Sequence, residues 1–176
     1  SLTHFFSDKF RVGNSKFAQF MRGDTNLTSN ETDGGIIFYG KGKCSACHRG
    51  AHFTDFNFHV VATPQFGFGK NGFGVDYGRF NSTFKTDDLH KFRTPPLHNV
   101  EKTSPYGHSG SLRSLEAIII AHYDPLRYIE PKNMSVLERR ELFDRLRTVG
   151  ASSPIPSSLN DQELERVIAF LKTLSF

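Results

Sequence analysis

The sequence predicts a mainly α-helical, single-domain protein, and three observations support this fold class. With 176 residues, the chain is long enough for one domain with its own core and short for two. Hydrophobic residues make up 37% of the chain and charged residues 23%, which is typical of a globular protein. Apolar residues recur at helical spacing in several segments, and no segment shows the alternation that predicts a convincing strand.

Two helices are predicted in the first quarter of the chain. The segment from Phe10 to Asp24 is expected to form a short helix and a turn. Ser29 or Asn30 is expected to cap the next helix, which runs to Tyr39 and is followed by a glycine-rich turn.

Two of the later helices are marked by their end signals. One is expected from about Arg113 to Tyr123, because Pro125 disfavours helical geometry at Asp124. Asn160 and Glu163 form a capping box at the start of the last helix, whose apolar residues recur at helical spacing.

Another helix is predicted between these two. Ser135 is expected to cap it, and Met134 and Met21 are interpreted as residues that fill gaps in the core. The predicted buried stripe of this helix consists of Leu137, Leu142, Phe143 and Leu146.

Periodicity is lost between His52 and Leu89, which contain a glycine-rich loop at Phe66–Gly74. A phosphate-binding loop is disfavoured because Lys70 is not followed by Ser or Thr at the start of a helix. Long structureless loops inside small domains are usually functional, so a lid over a cofactor is the preferred interpretation.

The segment Cys44-Ser-Ala-Cys47-His48 is the strongest functional signal in the chain. Two thiols at positions i and i+3 lie on one face of a helical turn, which suits covalent bonding to both vinyl groups on one edge of a porphyrin. The histidine that follows is then placed to bind the iron from one side. The motif predicts one covalently bound haem c, and the eighteen phenylalanines would provide its apolar wall.

Two other interpretations of the motif are weaker. A redox disulfide of the thioredoxin type requires a βαβ context that the sequence lacks. A zinc site formed by Cys44, Cys47, His48 and His52 is disfavoured because adjacent Cys47 and His48 would crowd a tetrahedral ion.

Composition excludes several other classes of function. The net charge of +4 is mild and the basic residues are dispersed, so binding to nucleic acid is not indicated. The longest apolar run, Ala117–Ala121, is far too short to cross a bilayer. No signal peptide is visible, as expected for a mature exported protein or an excised piece of one. Covalent haem indicates a periplasmic or otherwise extracytoplasmic bacterial compartment.

Several motifs resemble the second, C-terminal haem domain of bacterial di-haem cytochrome c peroxidases and MauG-like proteins. They occur in the order of that family and span almost the whole chain. They are Asn14–Phe17 with Arg22–Asp24, Gly42–Gly50 with Phe53–His59, Phe92–Val100, Thr103–Gly110 and Ser114–Ile118.

The resemblance implies a c-type cytochrome fold and a division of the chain into two parts. Residues 1–24 would be the connector from a missing or separate N-terminal haem domain, and residues 25–176 the haem domain itself. Members of the family carry two haems, and peroxide reacts at the first. This chain, with one haem motif and no tryptophan, would be the electron-transfer half.

The resemblance also implies the second ligand of the iron. In the family, this ligand lies fourteen residues after the histidine of the Pro-Tyr-x-His segment, and it is Met in the peroxidases and Tyr in MauG. That histidine is His108 here, so the register predicts His122 as the ligand, with Tyr123 as the alternative. Without the register, a buried, hydrogen-bonded core histidine is the simpler interpretation of His122.

Other residues receive weaker assignments. Arg93 is a candidate for neutralising a haem propionate, although an ordinary surface arginine is nearly as good an interpretation. His108 would link the haem edge to the other domain or bond to a backbone carbonyl. The resemblance implies a calcium ion between the haem domains, held partly by the backbone carbonyls of Thr103 and Pro105.

The leading functional hypothesis is an electron-transfer haem domain that exchanges electrons with a second haem or another redox protein. This half alone is not expected to be catalytic. One alternative is a stand-alone single-haem peroxidase with an open distal site. Another is a non-enzymatic cytochrome subunit of a larger assembly.

Overall fold

The computed structural model describes residues 12–65, 76–130, 132, 134–152 and 156–176, without the side chains of residues 150–152. The predicted glycine-rich lid and most of the first half of the predicted connector lie outside these residues. Six α-helices and two short strands are seen in the described part. The helices are α1 (Lys16–Arg22), α2 (Ser29–Tyr39), α3 (Phe80–Thr83), α4 (Leu115–Tyr123), α5 (Val136–Ser152) and α6 (Asp161–Lys172), and the strands are β1 (Phe58–Val60) and β2 (Lys91–Arg93).

The predicted helices of the first quarter are confirmed, with one correction to a cap. α1 ends at Gly23, whose φ of 82° places it in the left-handed region that glycine adopts easily. α2 is capped by Thr28, not by Ser29 or Asn30. The Thr28 and Glu31 side chains each accept a hydrogen bond from the other residue's backbone N–H, at 3.3 and 2.7 Å.

The ends of the later helices also agree with the local signals. Ser114 caps α4, which ends at Tyr123 before the predicted proline stop. Ser135 Oγ accepts a hydrogen bond from the Glu138 backbone N–H at the start of α5. The capping box of Asn160 and Glu163 is present at the start of α6.

The predicted buried stripe of α5 is partly wrong. Leu142 is buried, but Leu137 and Phe143 are 59% and 73% exposed. The helix is rotated so that it buries Glu141 and Arg145, whose charges find partners. Tyr77 donates a hydrogen bond to Glu141, and the Arg145 guanidinium donates to the Thr63 carbonyl at 2.8 Å. Met134 is in the core as predicted, whereas Met21 is 68% exposed and does not fill a core gap.

The expectation of no strands is also corrected. β1 and β2 form a two-stranded antiparallel ribbon in which Phe58, His59 and Val60 face Arg93, Phe92 and Lys91. Residues directly opposite each other share a face of the ribbon, so His59 and Phe92 point to the same side.

The main core forms where α2 crosses α6. Gly34 lets the two backbones approach closely, because a Cβ atom at this position would lie 1.9 Å from the carbonyl oxygen of Arg166. Phe38 and Phe170 are each 1% exposed and pack beside this contact, and Phe53 joins the same cluster. This core supports the segment that follows α2, which carries Cys44 and Cys47.

Among the described residues, none of the helices combines the length and the apolar character that a membrane-spanning segment requires.

Candidate functional site

A mainly apolar cavity of about 490 Å³ lies between the cysteine segment, the β-ribbon and α4. This size is in the range of small-molecule and cofactor sites. Most of the site residues predicted from the sequence line it. They are Cys44, Cys47, His48, Arg93, Thr103, Pro105, His108, His122 and Tyr123.

The cysteine segment forms one tight turn at the wall of this cavity. Cys44–Ala46 is a turn of 3₁₀ helix, and the His48 backbone N–H donates to the Cys44 carbonyl at 2.9 Å. Gly42 makes the entry to the turn possible, since a Cβ atom there would lie 2.9 Å from the Ile37 carbonyl oxygen. Both sulphur atoms and the following imidazole are therefore presented to the same cavity.

The orientation of His48 leaves one ring nitrogen free to bind a ligand. Its Nδ1 atom lies 3.0 Å from the Phe53 carbonyl oxygen, a distance at which Nδ1–H donates to that oxygen. The lone pair is then on Nε2, as in many metal-binding histidines. Burial, with repulsion from His122, lowers the pKa of His48 to about 4, so the neutral imidazole is favoured.

His122 is held in the same manner from the opposite side. It lies in the last turn of α4, and its Nδ1 atom is 2.7 Å from the Ile118 carbonyl oxygen. Burial lowers the pKa of this imidazole as well, and Nε2 is again the free nitrogen. Both histidines thus have a neutral form with a lone pair available.

The two imidazoles are separated by a distance that fits one metal ion between them. Their ring centroids lie 6.5 Å apart with an interplanar angle of 61°. Nitrogen binds a first-row metal ion at about 2 Å, and the ring centre lies roughly 1.2 Å behind that nitrogen. Two imidazoles on opposite sides of one ion would therefore have centroids about 6.4 Å apart. The residues present fit a six-coordinate haem iron.

The cysteines are in the state required for bonding to a porphyrin. Both are free thiols, so the disulfide interpretation receives no support from the structure. Burial raises the pKa of the Cys44 thiol to about 11, and burial together with the Asp55 charge raises that of Cys47. Both thiols are therefore protonated near neutral pH.

The structure does not bring together the four ligands of the alternative zinc site. His52 is exposed, and its ring contacts Phe56 and His98 at about 6 Å. Within the described part of the chain, the grouping of metal-type donors is instead Cys47 with Asp55 and His59, which lie within 4.8 Å of one another.

Arg93 and His108, which received weaker predicted roles, lie in different surroundings. Arg93 is exposed and its guanidinium lies 5.0 Å from the centre of the Phe56 ring, so a role with a propionate stays a prediction. His108 pairs with a carboxylate, and the predicted link to another domain stays a prediction. Its Nε2 atom lies 2.9 Å from the Asp76 carboxylate, and its ring stacks on Phe92 with centroids 4.0 Å apart.

The remaining predicted positions also border the cavity. Thr103 and Pro105 are exposed at its edge. Tyr123 lines the cavity next to His122, and the choice between these two as the iron ligand stays a prediction.

Sequence reasoning missed the pair formed by Asp55 and His59. The His59 Nε2 atom lies 2.8 Å from the Asp55 carboxylate, whose side chain is only 3% exposed. Burial would raise the pKa of this carboxyl, but hydrogen bonds from His59, the Asn57 backbone and Thr94 outweigh it and hold the pKa well below its usual range. The only sequence signal is an Asp followed by a His four residues later, which has no fixed geometry outside a helix.

Comparison with known proteins agrees with this fold. No family model matches the chain. The methylamine utilization protein MauG of Methylorubrum extorquens is 32% identical over 148 residues, which cover 79% of this chain and 40% of that protein. A cytochrome-c peroxidase of Denitromonas iodatirespirans is 28% identical, covering 96% of this chain and 46% of that protein.

A solved structure shows the same architecture. The diheme peroxidase BthA from Burkholderia thailandensis superposes with a TM-score of 0.73 and 22% identity, covering 92% of this chain and 46% of that chain. The chain therefore has the mainly α, c-type cytochrome fold of a haem domain. It is a relative of the bacterial di-haem cytochrome c peroxidases and MauG proteins, and this relationship implies haem c as the cofactor. The chain spans less than half of the length of these relatives.

Proposed function

We propose that this chain is the electron-transfer haem domain of a di-haem protein related to cytochrome c peroxidase and MauG. Cys44 and Cys47 would hold the porphyrin through thioether bonds, and His48 and His122 would bind the iron from opposite sides. The haem, when bound, supplies a one-electron redox centre. The observation that carries the proposal is the pair of imidazoles, His48 and His122, whose ring centres lie 6.5 Å apart in a cavity that Cys44 and Cys47 also line.

The arrangement favours electron transfer over reaction with peroxide. With His48 and His122 both holding the iron, no position would be open for a small ligand. Imidazole in place of a thioether is also expected to lower the reduction potential, because Met ligation raises it. Catalysis would then belong to the haem of the N-terminal domain, where peroxide reduction or oxidation of a protein side chain would take place.

The remaining features of the proposal are those that the resemblance in sequence implies. Residues 1–24 would connect this domain to the N-terminal haem domain, with residues 25–176 forming the haem domain. A calcium ion between the two would use the backbone carbonyls of Thr103 and Pro105, which are exposed at the edge of the cavity. A covalently attached haem would be typical of a mature protein in the periplasm or otherwise outside the bacterial cytoplasm.

The ligand assignment is tested by His122→Ala in protein produced with covalent haem. The ferric wild-type protein is expected to be low-spin, and the variant is expected to become high-spin because one axial side is vacated. Absorption and electron paramagnetic resonance spectra report the change. Added imidazole should restore the low-spin spectrum.

Tyr123→Phe is the matched control, since it alters the neighbouring cavity residue and leaves His122 in place. Its spectrum should remain low-spin. A high-spin wild-type protein, or a variant spectrum unchanged by His122→Ala, would reject the assignment. Steady turnover of peroxide by the isolated wild-type chain would favour the stand-alone peroxidase.

A further inference from the structure

Asp55 is a half-buried residue whose carboxylate is almost inaccessible to solvent. Its side chain is 3% exposed, and it accepts hydrogen bonds from the Asn57 backbone N–H at 2.9 Å and pairs with His59 at 2.8 Å. The hydrogen bonds that favour its ionised form hold its pKa well below the usual range. This position therefore carries a negative charge throughout the neutral and alkaline range.

The charge is next to the attachment edge of the cofactor. The Cys47 sulphur, an Asp55 carboxylate oxygen and a ring nitrogen of His59 all lie within 4.8 Å of one another. Under the proposed function, that sulphur is bonded directly to the porphyrin. An Asp55 charge at this distance from the Cys47 sulphur would lie close to the haem edge.

We infer that Asp55 is an electrostatic determinant of the reduction potential of this haem, and that His59 is a positioning residue that holds its carboxylate in place. The inference rests on the proposed function and deepens it. An anion near the porphyrin disfavours the addition of an electron, and the effect is large when the charge is buried, because a low effective dielectric constant and weak salt screening preserve it. Asp55 would thus stabilise the oxidised haem.

The test compares midpoint potentials of holoprotein variants at pH 9, where an ordinary imidazole is neutral. Asp55→Asn removes the charge and keeps an oxygen that can accept from Asn57, so it is expected to raise the potential. Asp55→Glu retains the charge and should stay closer to wild type. His59→Gln leaves the Asp55 charge in place and should shift the potential less than Asp55→Asn.

The matched control is Asp24→Asn. Asp24 carries the same charge and also pairs with a basic side chain, Arg22, but is 54% exposed on the surface. Its removal should shift the potential several-fold less than Asp55→Asn. The Asp55→Asn shift should also persist at high salt, whereas any shift from Asp24→Asn should vanish.

The outcomes separate this inference from the proposed function. A haem-loaded Asp55→Asn protein whose potential is unchanged, or lower than wild type, overturns the role of Asp55 and leaves the haem assignment intact. A wild-type protein without covalent haem overturns the proposed function itself. If Asp55→Asn does not retain haem, Asp55→Ser provides the same loss of charge with a smaller side chain, and it too should raise the potential.

Discussion

Replacing Gly34 by alanine is expected to lower the stability of the protein sharply. Overpacking a core costs roughly 1–3 kcal/mol, and the loss here should be at least of that size. The new Cβ atom would lie 1.9 Å from the Arg166 carbonyl oxygen and 2.5 Å from its carbon, so the backbones of α2 and α6 would have to separate. In a protein of this size, a loss of that order lowers Tm by about 2–12 °C. Thermal unfolding followed by circular dichroism measures it.

This predicted loss of stability is opposite to the effect expected when an ordinary glycine in a helix is replaced by alanine. Alanine is favoured over glycine in a helix interior by about 1 kcal/mol, so an uncrowded site would gain stability. Gly35→Ala is the matched control in the same helix. Its Cβ would meet the Phe170 ring at 3.3 Å, and a side chain can move where a backbone cannot. Equal losses for Gly34→Ala and Gly35→Ala would contradict the proposed backbone contact.

The parts of the fold that were predictable are those set by local contacts. The start of α6 follows from a capping box in which Asn160 and Glu163 satisfy each other's backbone, three residues apart. The end of α4 follows from the restriction that Pro125 places on Asp124. Such signals depend on residues that are close in sequence, so they do not require contacts with distant parts of the chain.

The parts that were missed depend on contacts between distant residues. Each strand of the ribbon has only three residues, and His59 finds its partner Phe92 more than thirty positions away. Three residues carry too little pattern to predict a strand. On α5, hydrophobicity predicted that Phe143 is buried. The polar side of the helix is buried instead, because Glu141 and Arg145 form hydrogen bonds with Tyr77 and Thr63.

The same distinction holds for the candidate site. Cys44, Cys47 and His48 are adjacent in sequence, so their pattern alone predicts a haem. His122 lies more than seventy residues away and was predicted only through the family register. The pair of Asp55 and His59 was not predicted at all, because its geometry depends on irregular backbone that no spacing rule describes.

Replacing both Cys44 and Cys47 by serine is expected to abolish covalent haem attachment completely while leaving haem binding in place. No thioether bond can form, but the cavity remains, and so do the two imidazoles. Their orientation depends on the carbonyls of Phe53 and Ile118 and not on the thiols. The variant should therefore bind haem reversibly with the same two axial ligands.

Intact mass under denaturing conditions distinguishes the two forms of attachment. The wild-type chain should retain the mass of one haem, whereas the double variant should have the mass of the bare polypeptide and release its haem to acidified organic solvent. Each single variant should keep one thioether bond. Ser45→Ala, in the same turn, is the control and should remain fully covalent. A double variant that still carries covalent haem would show that the attachment is elsewhere. A wild-type chain with two free thiols and no haem mass would remove the basis for assigning His48 and His122 as axial ligands, because that assignment requires an iron between them.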